Sequence, residues 1–268
     1  MPISLEPLLA HLPAWLLVLF RMTGLFVLGP VFGSRLVLAR VKVFLALGLS
    51  FCIYPMLLSP GSVTAANVAP ILDGGLHLAR IVPAIAMELL IGMVIGFGVG
   101  LPLVGMQMGS HVIDQQMGLG IAGVYNPEFD EQVGVISEFY YLLAVTVFVL
   151  MGGHRAVLGT LVGSFGKVPL GGYVPDGHLL ELIIGLLTVT FELGLRVSGP
   201  LLCLFFLETV AMGFIARTVP QMNVLSIGFP LRILVGLVLL IASVGVMTSA
   251  YQETLIKTLE RLRLFWTT

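Results

Sequence analysis

Long apolar runs interrupted by isolated charges set the pattern of this chain. The first, Ala14–Phe32, follows Pro13, a residue suited to the opening turn of a helix, and contains Arg21. Val43–Leu58 is the second and Ile81–Val104 the third, with Glu88 inside it. Val133–Met151 is the fourth, and Gly152-Gly153-His154-Arg155 is expected to end it before a further apolar piece, Ala156–Phe165. Leu182–Ala216 is too long for one simple crossing, and Ser198-Gly199-Pro200 predicts a break or kink in it, because proline lacks the helical N–H and crowds the preceding turn. After Arg217-Thr-Val-Pro220, Pro230 is placed to start a last long helix reaching about Ala250. Several of these runs approach the ~20 apolar residues that cross a bilayer. Period-two alternation of the kind that builds membrane barrels is absent. The pattern predicts an all-α integral membrane protein made of helical hairpins with kinked and broken helices.

The connections add orientation. The segment with Arg35, Arg40 and Lys42 is the most basic, so the positive-inside rule makes it cytoplasmic. Residues 59–80 carry prolines and glycines with little charge, as a translocated segment does. The tail, 251–268, is amphipathic: Leu255, Leu259, Leu262 and Phe265 recur at helical spacing, with charges between them. It is expected to lie on a membrane surface or dock on a partner. A simple count of crossings puts this basic tail on the wrong side, and splitting Leu182–Ala216 into a hairpin moves Arg217 out instead. Arg21, Glu88, Glu192, Arg196 and Glu208 all lie inside apolar runs, which points to faces that meet protein rather than lipid. Glu192 and Arg196, four apart, are placed to pair on one helical face. Gly92-x-x-x-Gly96 and Gly96-x-x-x-Gly100 permit close helix contact.

One stretch fits neither lipid nor ordinary solvated loop. Gly105–Gln132 combines five glycines with Met106, Met108 and Met117, a Gln115-Gln116 pair, and an Asn126-Pro127 turn followed by acids. Glycine lets backbones approach closely and methionine adapts to irregular surroundings. Non-helical backbone at membrane depth is tolerated only inside protein or along a water-filled path.

Composition narrows the function. Of 268 residues, 58% are hydrophobic and only 10% charged, and the net charge of −1 argues against a polyanionic partner such as nucleic acid. Cys52 and Cys203 sit in apolar runs and read as buried free thiols. The five histidines form no metal-binding pair, His111 and Asp114 are spaced for a structural hydrogen bond, and no nucleophile triad, phosphate loop or dinucleotide fingerprint is present. No enzyme, cofactor or metal is expected. The chain reads as one domain, 1–268, with its amphipathic tail.

Three groups of residues bear a family likeness. The first is Gly29-Pro-Val-Phe-Gly33 with Arg35, Arg40 and Lys42. The second is Gln107-Met-Gly and Gln116-Met-Gly-Leu-Gly-Ile-Ala through Asn126-Pro127, then Gly152-Gly153-His154 and Ser164-Phe165 with Pro169-Leu-Gly171. The third, the most specific, is Gly213-Phe-Ile-Ala-Arg217-Thr-Val-Pro220-Gln-Met-Asn223-Val-Leu-Ser-Ile-Gly-Phe-Pro230. Together, in order and across essentially the whole chain, they resemble the FliR family of the flagellar type III export apparatus, which is related to the SctT proteins of injectisomes. The Gly228-Phe-Pro-Leu-Arg-Ile run is closer to flagellar members than to injectisome ones.

The resemblance implies a non-enzymatic subunit of the flagellar export gate in the bacterial inner membrane, at the basal body. There it would assemble with FliP and FliQ into a helical pore complex, with FlhB and FlhA nearby, to conduct unfolded flagellar proteins. It also implies a pore plug formed by Gln116, Met117, Gly118, Leu119, Gly120, Ile121, Ala122, Gly123, Val124 and Tyr125. Subunit packing or charge pairing is expected of Glu88, Glu192, Arg196 and Arg217, and of Pro220, Gln221, Met222 and Asn223. The alternatives are an injectisome export subunit of the SctT type, or a small-molecule secondary transporter built on Glu88, Glu192, Arg196 and the break at Pro200.

Overall fold

The computed structural model describes residues 6–30, 33, 37–58, 78–119, 134–173, 177–219, 221 and 224–266. Seven helices account for nearly all of them: α1 (Glu6–Leu28), α2 (Ala39–Leu57), α3 (Leu78–Met117), α4 (Val135–Leu150), α5 (Gly153–Phe165), α6 (Gly177–Thr218) and α7 (Val224–Phe265). No strand occurs among the described residues. α1, α2, α3, α6 and α7 are long and apolar enough to cross a membrane, and α4 with α5 counts as a sixth if taken as one broken span. The protein is an all-α membrane protein.

The chain forms two compact units. The first comprises Met1–Gly100, Gly152–Leu186 and Lys257–Thr268, and the second Leu101–Met151 and Leu187–Ile256. In the first unit α1 and α2 form a hairpin, joined by a His11 Nδ1 contact to the Tyr54 hydroxyl at 2.9 Å and an edge-on packing of Trp15 against Phe51. α1 then meets α3 backbone to backbone. A methyl group on Gly24 would strike the Leu89 carbonyl, one on Gly92 the Arg21 carbonyl, and one on Gly96 would come within 2.8 Å of the Gly29 nitrogen. Small residues at this spacing let two helices approach until their main chains touch. Val18, Met22 and Leu25 of α1 pack in the buried core beside Ile91, Ile95 and Val99 of α3.

The second unit repeats the device between α3 and α6. A methyl on Gly105 would lie 2.8 Å from the Thr190 carbonyl, and one on Gly109 2.7 Å from that of Gly194. Its core holds Met106 and Ile113 of α3, Tyr140 and Phe148 of α4, Leu193, Val197 and Phe205 of α6, and Leu240 and Tyr251 of α7.

Five expectations from the sequence change here. Pro13 lies inside α1 rather than at its start. α3 does not stop at Val104 but continues to Met117, because the glycines that suggested a loop are what let it pack on α6. α6 runs unbroken through Pro200, carried by buried Val197, Leu201 and Phe205 on either side of it. The amphipathic tail is the last part of α7, with Leu255, Leu262 and Trp266 buried within the chain. Cys52 and Cys203 are free thiols but exposed, since α2 and α6 turn those faces outward.

Candidate functional site

In the second unit, the end of α3 and the start of α4 are held by a set of buried contacts. α3 closes with Gly118 in the left-handed region (φ 76°). The Gly118 N–H donates to the Gln115 carbonyl at 3.1 Å and the Leu119 N–H to that of Asp114 at 3.2 Å, the paired bonds of a Schellman terminus. A side chain at Gly118 would meet both its positive φ and the Phe229 ring, 2.8 Å from an ideal methyl position. Gly134, the N-cap of α4, has no side chain with which to cap the helix. Asp114 supplies that cap from α3. Its carboxylate accepts hydrogen bonds from the Ile136 N–H (3.2 Å), the Ser137 N–H (2.8 Å) and the Ser137 hydroxyl (2.6 Å). Those first-turn amides have no partner inside their own helix and favour a negative charge. Gly134 must be glycine here, because a methyl would overlap the Asp114 carboxylate. Asp114 thus serves both helix ends: its main-chain carbonyl accepts the Leu119 N–H, and its side chain, 1% exposed, accepts from the first turn of α4.

The first unit contains a second polar node, also buried. Arg21 on α1 and Glu88 on α3 are both 0% exposed and form a two-pronged ion pair: Arg21 Nε donates to Glu88 Oε2, and Nη2 donates to Oε1 at 3.0 Å. Arg21 Nη1 donates to the Ser164 hydroxyl of α5 at 3.0 Å, and the guanidinium lies 4.2 Å from the centroid of the Phe165 ring. Glu88 Oε1 also accepts the Gly171 N–H at 2.8 Å, where φ of 69° and a neighbouring Ala84 favour glycine. Every nitrogen of the guanidinium is engaged, which is how a buried charge is tolerated. The node ties α1, α3, α5 and the turn after α5 into one body.

Two of the remaining charges in apolar runs, Arg196 and Glu208, pair across α6 and α7. Arg196 reaches Glu253 at 3.0 Å, not Glu192 as the sequence spacing suggested, because the α7 carboxylate stands opposite it in the second unit. Arg232 donates to Glu208 at 2.8 Å and to the Thr209 hydroxyl at 2.6 Å. Asp114 likewise does not bond His111, whose ring contacts the Gln115 amide at 3.1 Å.

Residues 12–258 match the profile of the family described as Bacterial export proteins, family 1. The chain belongs to that family. Among similar curated proteins is the flagellar biosynthetic protein FliR of Bacillus subtilis (strain 168), 28% identical over 94% of this chain and 93% of its own length. FliR of Escherichia coli (strain K12) is 28% identical over 90% of this chain and 87% of its own, and that of Aquifex aeolicus (strain VF5) 26% identical over 87% and 86%.

Within this export-protein fold, the residues singled out from the sequence fall in different places. Of the expected plug, Gln116 and Met117 form the last turn of α3, Met117 fully buried against Gly236 of α7, and Gly118 and Leu119 follow it. Residues 120–125 lie outside the described residues, as do Pro220, Met222 and Asn223, whereas Arg217 and Gln221 are exposed. Glu192 is also exposed. Sequence reasoning named Arg21 and Glu88 separately but not as partners, and it missed Asp114 as a cap. The signal for Asp114 was present: a helix starting at a capless glycine needs an acceptor from elsewhere.

Proposed function

We propose that this chain is a non-enzymatic subunit of the flagellar type III protein export gate in the bacterial inner membrane. It assembles there with FliP and FliQ, close to FlhB and FlhA, and the segment following Gly118 plugs the pore through which unfolded flagellar proteins leave. The observation that carries the reading is the family match over residues 12–258, joined by relatives named flagellar biosynthetic proteins along nearly their full lengths. The chain's own geometry adds support. A pore plug needs fixed roots, and Asp114 joins the end of α3 to the start of α4, its carbonyl accepting from Leu119 and its carboxylate from Ile136 and Ser137. The small-molecule transporter reading loses its elements, since α6 is unbroken at Pro200, Glu88 is locked to Arg21 and Arg196 is paired with Glu253.

Two strains test the proposal. A strain lacking this chain is expected to retain flagellar filament and hook proteins in the cytoplasm and to lose motility; normal secretion would refute the export role. A strain in which Gly118–Gly123 is deleted is expected to leak small ions across the membrane while the complex still assembles, as an apolar constriction that no longer seals would. Unchanged ion permeability would refute the plug.

A further inference from the structure

The α1–α2 hairpin of the first unit carries one apolar span in each helix, His11–Leu28 of 18 residues and Ala39–Leu57 of 19. These reach about 27–29 Å of helix, close to the ~30 Å hydrocarbon core of a bilayer. One hairpin therefore fixes both interfaces. His11, Trp15 and Tyr54 stand together at one end, as an aromatic belt does. Arg40 and Lys42 stand at the other, which the positive-inside rule makes cytoplasmic.

Between the helices at that cytoplasmic end lies a groove of about 380 Å³. Phe26 and Ala46, each 3% exposed, form its floor. Val27 and Val43 line its edges and are exposed, so it opens sideways from the hairpin. From Val27 to Leu19 it follows α1 for roughly 12 Å toward the middle of the span. Thr23, which also lines it, already donates its hydroxyl to the Leu19 carbonyl at 2.8 Å. Lys42 is the one charged group among the described lining residues.

Charge names the head of the occupant. Lys42 Nζ donates to the neutral Gly33 carbonyl at 3.0 Å, and a lysine ammonium has further N–H groups to give. It has no carboxylate partner among the described residues. Arg40, at the same helix start, is exposed and makes no hydrogen bond or ion pair among them. The sequence holds no Asp or Glu between Glu6 and Asp73, so the hairpin brings no acid to this end, and Arg35 adds another cation to the connection. A cationic mouth at the anionic cytoplasmic leaflet, with an apolar wall leading inward, has the form of an acidic lipid in reverse.

We infer that this groove holds an anionic phospholipid of the cytoplasmic leaflet. Its headgroup phosphate sits on Lys42, and one acyl chain runs inward from Val27 and Val43 toward Leu19 and Leu47. The inference rests on the membrane-spanning character of α1 and α2 and not on the export role.

The full-length protein in neutral detergent is titrated with phosphatidylglycerol or phosphatidylcholine carrying a photoactivatable diazirine in one acyl chain. After irradiation and digestion, mass spectrometry maps the label. Saturable labelling of residues 19–27 and 39–47 is expected, at a phosphatidylglycerol concentration about tenfold below that needed for phosphatidylcholine. Combining Arg40→Gln with Lys42→Gln should weaken this labelling by phosphatidylglycerol about tenfold. Val43→Trp, at an exposed position, fills the groove and should abolish it. Arg155→Gln, an exposed cation on α5 outside the lining, should leave it unchanged.

Equal labelling by the two lipids, label confined to other segments, or equal effects of the Lys42 and Arg155 changes would overturn the site. Loss of label in millimolar inorganic phosphate would assign Lys42 to a soluble anion instead. Loss of label once the chain is purified in complex with its partner subunits would assign the groove to a protein. If a variant does not fold, the comparison of the two lipids in the unsubstituted protein decides the matter.

Discussion

Arg21 and Glu88 show why a charge in an apolar run is informative and incomplete. Each residue could be picked out from the sequence, because an unpaired charge there is too costly to be accidental. Their pairing could not, since it depends on the crossing that Gly24 and Gly92 allow between α1 and α3. Removing one partner strands the other in a buried site, and such single changes cost about 3–5 kcal/mol, whereas replacing both with apolar residues is often close to neutral. Arg21→Met and Glu88→Leu are each expected to lower the unfolding temperature of the detergent-solubilised protein sharply. The double variant should regain most of it, and a thermal double-mutant cycle measures that coupling. Asp114 makes a second residue-scale case. Its exchange for alanine leaves the first amides of α4 unsatisfied and should cost about 1–3 kcal/mol. Hydrogen exchange at Ile136 and Ser137 should rise selectively, and unaltered exchange there would show that the cap does not hold the helix start.

At the scale of elements, glycine had two meanings that the sequence alone could not separate. In Gly105–Gln132 it suggested loop, yet Gly105 and Gly109 lie within α3 because the α6 main chain leaves no room for a side chain. Gly118, seven residues beyond His111 on the same helix, does end it, and its positive φ explains why. Pro200 follows a related logic: a helix held on both sides of a proline by buried side chains is not broken by the missing hydrogen bond. What was legible was the number and apolar character of the long helices; their ends were set by contacts far away in sequence. The distinction can be measured. Gly92→Ala should destabilise by about 1–3 kcal/mol, as overpacking does, because its methyl would land on the Arg21 carbonyl. Gly159→Ala in α5, where a methyl meets nothing within 4 Å, should stabilise by roughly 0.5–1 kcal/mol through helix propensity. Unfolding in the same detergent compares the two, and equal effects would remove the close-packing argument.

For the whole molecule, the outward faces are the outstanding feature. Phe206, Leu207 and Phe214 on α6 and Leu234, Ile241 and Val246 on α7 are exposed large apolar residues, with the Arg196–Glu253 and Glu208–Arg232 pairs set among them. Lipid would suit the apolar side chains, but ion pairs on the same helices suit protein neighbours better. Of the short motifs that carried the family resemblance, Gly152-Gly153-His154, Ser164-Phe165 and Pro169-Leu-Gly171 lie at helix ends and turns, where backbone conformation restricts the choice of residue. The residues between them are aliphatic and carry little information beyond hydrophobicity. Whether this chain completes itself or is completed by others is the central question. Co-expression with FliP and FliQ, purification through a tag on this chain, and native mass spectrometry of the product answers it most directly. The expected result is a complex of defined mass containing all three chains. A stable, monodisperse particle of this chain alone, with neither partner bound, would contradict the assignment to an export gate.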